Sequence, residues 1–178
     1  MFTSELKAEP IDKNYYRIID GFCLNFYINR DFFKYHANKW CVITVYPGAV
    51  TDFASVPKFL RHWFPNKGKK VAHAAVVHDL LYQFQLFPRI TCDRIFLYGL
   101  AVLGMKKWRR ELMYLGVRAG GWKPYTRYRR RHEQGCAPLN YYTIAGQPVE
   151  VTFFDSFLES MTYTYETEKI ISRKEDNK

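Results

Sequence analysis

Between residues 14 and 47 the hydrophobic residues form short runs bounded by turn-forming residues, a pattern that indicates β-strands. Two stretches, YYRIIDGFCLNFYI and WCVITVYPG, are rich in β-branched and aromatic residues, and the pairs Asp20-Gly21 and Pro47-Gly48 mark turns. Small, polar and turn-forming residues then fill the segment Tyr46–Pro57. We therefore predict an antiparallel sheet followed by a structured loop.

From residue 69 the spacing of apolar residues becomes helical. A first helix is predicted over residues 69–85 and ends before Phe87-Pro88. Thr91 is the predicted N-cap of a second helix over residues 92–104, which places Asp93 in its first turn. Because so short a connection joins them, these two helices should pack antiparallel.

The remainder of the chain predicts a third helix and one returning strand. The third helix covers residues 106–120, and residues 122–138 read as a basic, aromatic loop. A strand or hairpin is predicted within residues 141–157, and residues 166–178 are predicted to be a charged, flexible tail. The expected fold is a single α+β domain over residues 1–165, with a small antiparallel sheet packed on an antiparallel helix pair plus a third helix.

Composition agrees with one folded domain, since 48% of the 178 residues are hydrophobic. The net charge of +10 is concentrated: residues 106–132 carry ten basic side chains against Glu111 alone. We select eight of them as a candidate binding surface: Lys106, Lys107, Arg109, Arg110, Arg127, Arg129, Arg130 and Arg131.

That basic stretch has two interpretations. A run of charges is commonly a solvated face, but aromatic residues lie within this one, among them Trp108 and Trp122. Such a surface suits anionic lipid, nucleic acid or a protein partner. No signal peptide and no transmembrane segment is evident, so we expect the protein in a cytoplasm or packed into a particle there.

The chemical candidates lie on the predicted helix pair. His78 and Tyr82 share one helical face, while Asp79 points about 100° away. Antiparallel packing can bring Asp93 to the His78 ring, where its carboxylate would fix one ring nitrogen and leave the other to act as a base. Asp79 can hold a divalent cation such as calcium.

The pattern His78-Asp79-Leu80-Leu81-Tyr82 with the later Asp93 resembles the phospholipase A2 helix pair, most closely its short viral version. The resemblance implies that His78 is the base, Asp93 its orienting residue, Asp79 a calcium ligand and Tyr82 a structural hydrogen-bond partner. The chain departs from that family in having no glycine-rich Y-G-x-G-type loop to supply calcium ligands.

A second resemblance covers residues 45–121. Its motifs are T-D-x-A-S-V-P (Thr51–Pro57), A-A-x-x-H-D-x-L-Y (Ala74–Tyr82), C-D-R-I-F (Cys92–Phe96) and L-G-x-x-x-W-R-R (Leu103–Arg110). In this order they resemble a domain-of-unknown-function family common in tailed phages and prophages. That resemblance implies viral origin, with phage structural proteins as partners and the virion or the host cytoplasm as location.

Two readings of the site stay open. In the functional one, His78 and Asp93, with Asp52 as a third carboxylate, belong to a hydrolase that acts on an ester or amide of the cell envelope. In the other, His78 is a buried histidine satisfied by a carboxylate, and Asp52 caps its own loop. The protein would then be a non-enzymatic virion or assembly component that docks through its basic and aromatic surface.

Overall fold

The computed structural model describes residues 1–2, 6–13, 15–28, 38–51, 68–135 and 148–173. Six strands lie in these ranges: β1 (Ala8–Pro10), β2 (Tyr16–Ile18), β3 (Phe22–Ile28), β4 (Lys39–Val45), β5 (Val50–Thr51) and β6 (Val149–Phe154). Five helices lie there as well: α1 (Gly68–Phe84), α2 (Arg89–Val102), α3 (Lys107–Gly120), α4 (Trp122–Glu133) and α5 (Phe157–Arg173).

The larger sheet has the strand order β3-β4-β6 and is antiparallel throughout. Side chains alternate across it, so Phe22, Leu24 and Phe26 of β3 enter the main core together with Cys41 and Ile43 of β4. Helix α1 packs on this face, and its Leu80 and Leu81 are fully buried in the same core. The sheet therefore supports the helix that carries the candidate site.

Helix α5 covers the opposite face of the sheet. The amide of Asn25 on β3 donates to Ser160 Oγ at 3.2 Å and to Thr164 Oγ1 at 3.4 Å. At the helix start, Ser156 and Glu159 form a reciprocal capping box, because each side chain accepts from the other's backbone N–H. The sheet is thus buried on both faces.

Residues 166–173 differ from the prediction of a flexible tail. They form the second half of α5, in which Thr167 and Ile171 are 7% and 5% exposed. The charged residues around them suggested a frayed end, but the helix needs only one buried residue per turn to dock on the sheet. Residues 174–178 lie outside the described ranges.

Helices α1 and α2 cross closely and run antiparallel, as predicted. Ala74 of α1 lies against Gly99 of α2, and His78 of α1 lies against Phe96 of α2. The contacts therefore progress in opposite directions along the two helices. A Cβ atom at Gly99 would stand 3.1 Å from the Cβ of Ala74. The small residue at each position allows the two backbones to approach, which brings the polar side chains of the pair within reach of each other.

Helix α2 begins earlier than predicted. Its first residue is Arg89 and its N-cap is Pro88, so Thr91 lies inside the first turn and is not the cap. Asp93 consequently lies beyond the first turn, where the macrodipole favours an acid less. Its position on the buried face of α2 has a different reason, namely its contacts with α1 and α3.

Residues 122–133, predicted as a loop, form the helix α4. Pro124 is the third residue of this helix, and a proline is tolerated there because the first N–H groups of a helix have no intrahelical partner. Tyr125 and Tyr128 are spaced to reach the main core, while Arg127 between them is exposed. The density of arginines hid this helical period in the sequence.

A second antiparallel sheet has the strand order β1-β2-β5, and the two-residue strand β5 packs beside α1. The sequence predicted one sheet, whereas the described residues form two sheets of three strands each. The predicted α+β class is confirmed, with α1, α2 and α3 packed together.

Candidate functional site

Asp93 is the centre of a buried polar network between α1, α2 and α3. Its side chain is 0% exposed, and its Oδ1 lies 2.8 Å from His78 Nε2 and 2.5 Å from the hydroxyl of Tyr82. Its Oδ2 accepts a hydrogen bond from Arg118 at 2.7 Å. The predicted proximity of Asp93 to the His78 ring is therefore confirmed.

The charge of Asp93 is stabilised in spite of its burial. Burial raises the pKa of this carboxyl, but the bonds from His78, Tyr82 and Arg118 together outweigh it and hold the pKa below its ordinary value of 3.8. A buried carboxylate is tolerated only when such donors replace the water it has lost. Asp93 is therefore ionised at neutral pH and acts solely as an acceptor.

His78 is neutral at neutral pH. The ring is 1% exposed, and burial lowers its pKa below the ordinary value of 6.5, although the bond to Asp93 opposes this effect. Since the carboxylate can only accept, Nε2 of the neutral ring must carry the proton and donate it. In this tautomer Nδ1 carries the lone pair and is the ring atom that can take up a proton.

Two arginines adjust the charge of the network. Arg118 on α3 makes the direct bond to Asp93, and that bond raises the pKa of the guanidinium. Arg89, one turn before Asp93 on α2, has its Nη1 3.9 Å from Asp93 Oδ2 and donates to the carbonyl of Arg118 at 2.9 Å. Their positive charges offset the negative charge of Asp93, and the charge of Arg89 also lowers the pKa of His78.

Tyr82 is held against the junction of α3 and α4. A Cβ atom at Gly121 would lie 2.6 Å from the Tyr82 hydroxyl, so only glycine leaves room for this close approach. The Tyr125 ring of α4 packs on Tyr82 edge to face at 5.0 Å. Burial, followed by the bond to Asp93, raises the pKa of Tyr82 and keeps it a hydrogen-bond donor.

Asp79, the predicted metal ligand, is 7% exposed and lies beside β5. Its Oδ2 accepts a hydrogen bond from Thr51 Oγ1 at 2.6 Å. Within the described ranges, no group of three or more His, Cys, Asp or Glu side chains is arranged to hold a metal ion. These residues do not by themselves form a calcium site, and we assign no step to a cation.

Asp52, the predicted third carboxylate, lies outside the described residues. Its neighbour Thr51 is fully buried at the end of β5, and the bond from Thr51 to Asp79 joins this strand to α1. The polar contacts of α1 therefore extend from Asp93 on one side to β5 on the other.

The eight residues of the candidate binding surface do not form one uniform face. Lys106, Lys107, Arg127, Arg129 and Arg130 are exposed, whereas Arg109, Arg110 and Arg131 are half-buried. Arg109 lies over the ring of Trp108 at 5.1 Å, and Arg127 lies over the ring of Tyr128 at 5.3 Å. Part of the positive charge is thus engaged by neighbouring aromatic rings.

Three contributors to the site were missed by sequence reasoning: Arg118, Arg89 and Gly121. Arg118 was counted only as one of many basic residues, although a half-buried arginine opposite an aspartate is a recurrent partner for it. The signal available for Gly121 was the pair Gly120-Gly121 directly after the third predicted helix, since paired glycines permit a close approach of another side chain.

Comparisons with known proteins give one match. A family model described as "Protein of unknown function (DUF1353)" matches residues 27–117, a range that contains both His78 and Asp93. Neither the curated proteins nor the solved structures yield a match. In the part of the chain that the structure describes, every helix is too short or too polar to cross a bilayer.

Proposed function

Since the chain belongs to the DUF1353 family, whose description assigns no function, we propose a function from the site itself: His78 and Asp93 are the general-base dyad of a hydrolase. The observation that carries the proposal is the bond of 2.8 Å between His78 Nε2 and Asp93 Oδ1. It fixes the ring and directs the proton-accepting role to Nδ1.

The reaction would proceed by proton transfer to that nitrogen. Nδ1 takes a proton from a water molecule, and the resulting hydroxide attacks the carbonyl carbon of an ester or amide. Asp93 stabilises the imidazolium that forms, while Tyr82 and Arg118 hold the carboxylate in place. The proton then passes from His78 to the leaving group, which restores the neutral ring.

The burial of His78 sets a requirement on this mechanism. A ring that is 1% exposed meets a substrate only after neighbouring groups move aside. We propose that contact with the substrate-bearing surface opens the site, as lids do in many enzymes. The closed form keeps the buried dyad away from bulk water until a substrate is present.

We propose a phage setting for this activity, acting from the virion tail or during infection on an ester or amide of the cell envelope. The motif order from Thr51 to Arg110 supports the setting, and the similarity of the His78-to-Tyr82 segment to the phospholipase A2 helix supports a lipid ester as the first substrate to examine.

The test is a turnover assay with the purified chain on phospholipid vesicles, soluble esters and peptidoglycan fragments. His78→Asn should lower the rate on the accepted substrate by about 10²-fold or more. His73→Asn is the matched control, because His73 is buried on the same helix but packs on the rings of Phe2 and Phe22. A rate equal in both variants, or a folded wild type without turnover, would contradict the proposal.

A second candidate is supported by α3 itself. Its outer face carries Trp108, Leu112 and Leu115, which are 56%, 39% and 61% exposed and recur at helical spacing. This stripe lies opposite the buried side of the helix, where Met113 and Val117 enter the core. Exposed apolar side chains flanked by basic ones fit a protein interface, so the chain would be a virion or assembly component that docks through α3.

Variants of the stripe separate the two candidates. Leu115→Ser should abolish stoichiometric association with a structural protein of the virion if α3 is a docking face, whereas His78→Asn should leave that association intact. Association that survives Leu115→Ser, together with turnover that depends on His78, would support the hydrolase alone.

A further inference from the structure

A cleft separate from the buried dyad opens along the outer side of α4. It has a volume of about 440 Å³ and lies between Arg89, at the start of α2, and one face of α4. That face is formed by residues one turn apart, with Tyr125 beside them: Trp122, Thr126, Arg129, Arg130 and Glu133. The helical spacing of α4 therefore gathers charged and aromatic side chains into one concave surface.

The charge of the cleft is positive. Arg89, Arg129 and Arg130 contribute three positive charges against the single negative charge of Glu133. Guanidinium groups match phosphate particularly well, because their planar N–H donors can bind two oxygens of one phosphate at once. The net charge of +2 also balances the −2 of a phosphate dianion. We propose that this cleft binds a phosphate group, carried by a small soluble ligand or by a lipid headgroup.

The three arginines differ in the hydrogen bonds and ion pairs that their side chains already make. Arg89 is held in place by its bond of 2.9 Å to the carbonyl of Arg118. The Arg130 side chain is exposed and, within the described residues, makes no hydrogen bond or ion pair. Arg129 is paired with Glu133 at 3.0 Å, but both side chains are more than half exposed, so water and ions compete with this pair and a phosphate can replace it.

Two aromatic rings of the cleft suit the organic part of such a ligand. Trp122 is 60% exposed, an unusual position for so large an apolar side chain, and its ring is available for contact. Tyr125 is fixed by a hydrogen bond of 3.1 Å from its hydroxyl to the carbonyl of Phe87. The cleft thus combines hydrogen-bond donors that can bind an anion with a flat apolar wall, a combination typical of small-ligand sites.

The cleft also touches the buried network through Arg89, whose Nη1 lies 3.9 Å from Asp93 Oδ2. A phosphate bound beside this guanidinium would offset part of its positive charge and so weaken its influence on Asp93. The binding proposal does not depend on the general-base function, because the ligand is held by α4 and Arg89 whether or not His78 is catalytic.

The test measures phosphate binding by calorimetry and by Trp fluorescence. The wild type is titrated with inorganic phosphate and glycerol 3-phosphate, and acetate serves as the monovalent comparison. Arg130→Gln should weaken phosphate binding by about tenfold, the loss expected when one charge-assisted contact is removed. Arg127→Gln is the matched control, since Arg127 lies on the same helix but lies over Tyr128 outside the cleft.

Vesicles distinguish the two sources of phosphate. The cleft is assigned to lipid headgroups if the wild type binds vesicles that contain phosphatidic acid, if Arg130→Gln abolishes this binding and if soluble phosphate competes with it. The cleft is assigned to a small ligand if the wild type binds the soluble phosphates but not the vesicles. The proposal is overturned if the wild type binds neither the soluble phosphates nor the phosphatidic acid vesicles. It is likewise overturned if Arg127→Gln weakens binding as much as Arg130→Gln. It is also overturned if only oligonucleotides bind, with affinity that grows with their length.

Discussion

The buried, neutral His78 should make the folded chain sensitive to mild acid. Its pKa is lowered from 6.5 by burial, so the unfolded chain binds a proton at this position more readily than the folded one. Stability is therefore fully present above pH 6.5 and falls as the pH is lowered towards the folded pKa. The loss of stability that comes from protonating Asp93 begins only at lower pH, because the ordinary pKa of this carboxyl is 3.8 and its folded pKa is lower still.

The size of the effect follows from one proton. If the folded ring stays neutral down to pH 5.5, the free energy of unfolding decreases by about 1 kcal/mol between pH 6.5 and pH 5.5 on this account alone, and by no more than about 1.4 kcal/mol per pH unit below that. His78→Asn removes the titrating group and should remove this part of the pH dependence. His132→Asn, at an exposed position on α4, should retain it.

Urea unfolding monitored by Trp fluorescence at pH 7.5, 6.5 and 5.5 measures these differences. Between pH 6.5 and pH 5.5, the free energy of unfolding of the wild type and of His132→Asn should decrease by about 1 kcal/mol more than that of His78→Asn. Equal pH dependence in all three proteins would refute the reasoning, since it would mean that His78 titrates alike in the folded and unfolded states.

Three further substitutions test the packing around the site and the sheet, each by urea unfolding. Tyr82→Phe should cost about 1.5–3 kcal/mol, because Asp93 loses one of its donors; an unchanged midpoint would show that this bond contributes nothing. Gly121→Ala should cost about 1–3 kcal/mol, because the added Cβ would lie 2.5 Å from the Val117 carbonyl oxygen and 2.6 Å from the Tyr82 hydroxyl; a smaller cost in a Tyr82→Phe background would measure the share that comes from the hydroxyl, and no cost at all would contradict the close approach. Ile171→Ala should cost about 2–5 kcal/mol, whereas the exposed Ile170→Ala should be nearly neutral; equal effects would contradict the docking of α5.

The helix pair could be predicted because its signals are local. Apolar spacing located α1 to within one residue at each end, and a short connection left antiparallel packing as the expected arrangement. Once the pair is antiparallel, Asp93 must approach the middle of α1, where His78 and Tyr82 share a face. The contact between His78 and Asp93 was therefore available from spacing alone.

Other parts of the fold depend on features that spacing does not carry. The buried face of α5 includes the polar residues Ser160, Thr164 and Thr167, so no apolar stripe marked it. Ser160 and Thr164 accept hydrogen bonds from Asn25 of β3 and also bond within their own helix. The capping box of Ser156 and Glu159 was the signal that could have located its start. The role of Arg118 arises from the packing of α3 on α2, a long-range contact that one sequence does not specify.

The protonation of His78 tests the central claim most directly. Long-range ¹⁵N–¹H correlation spectra of the folded chain report which ring nitrogen carries the proton. At pH 7 we predict a neutral His78 with the proton on Nε2 and an unprotonated Nδ1, and we predict that this pattern persists as the pH falls below 6.5. A proton on Nδ1 alone, or a fully protonated ring at pH 7, would contradict the account.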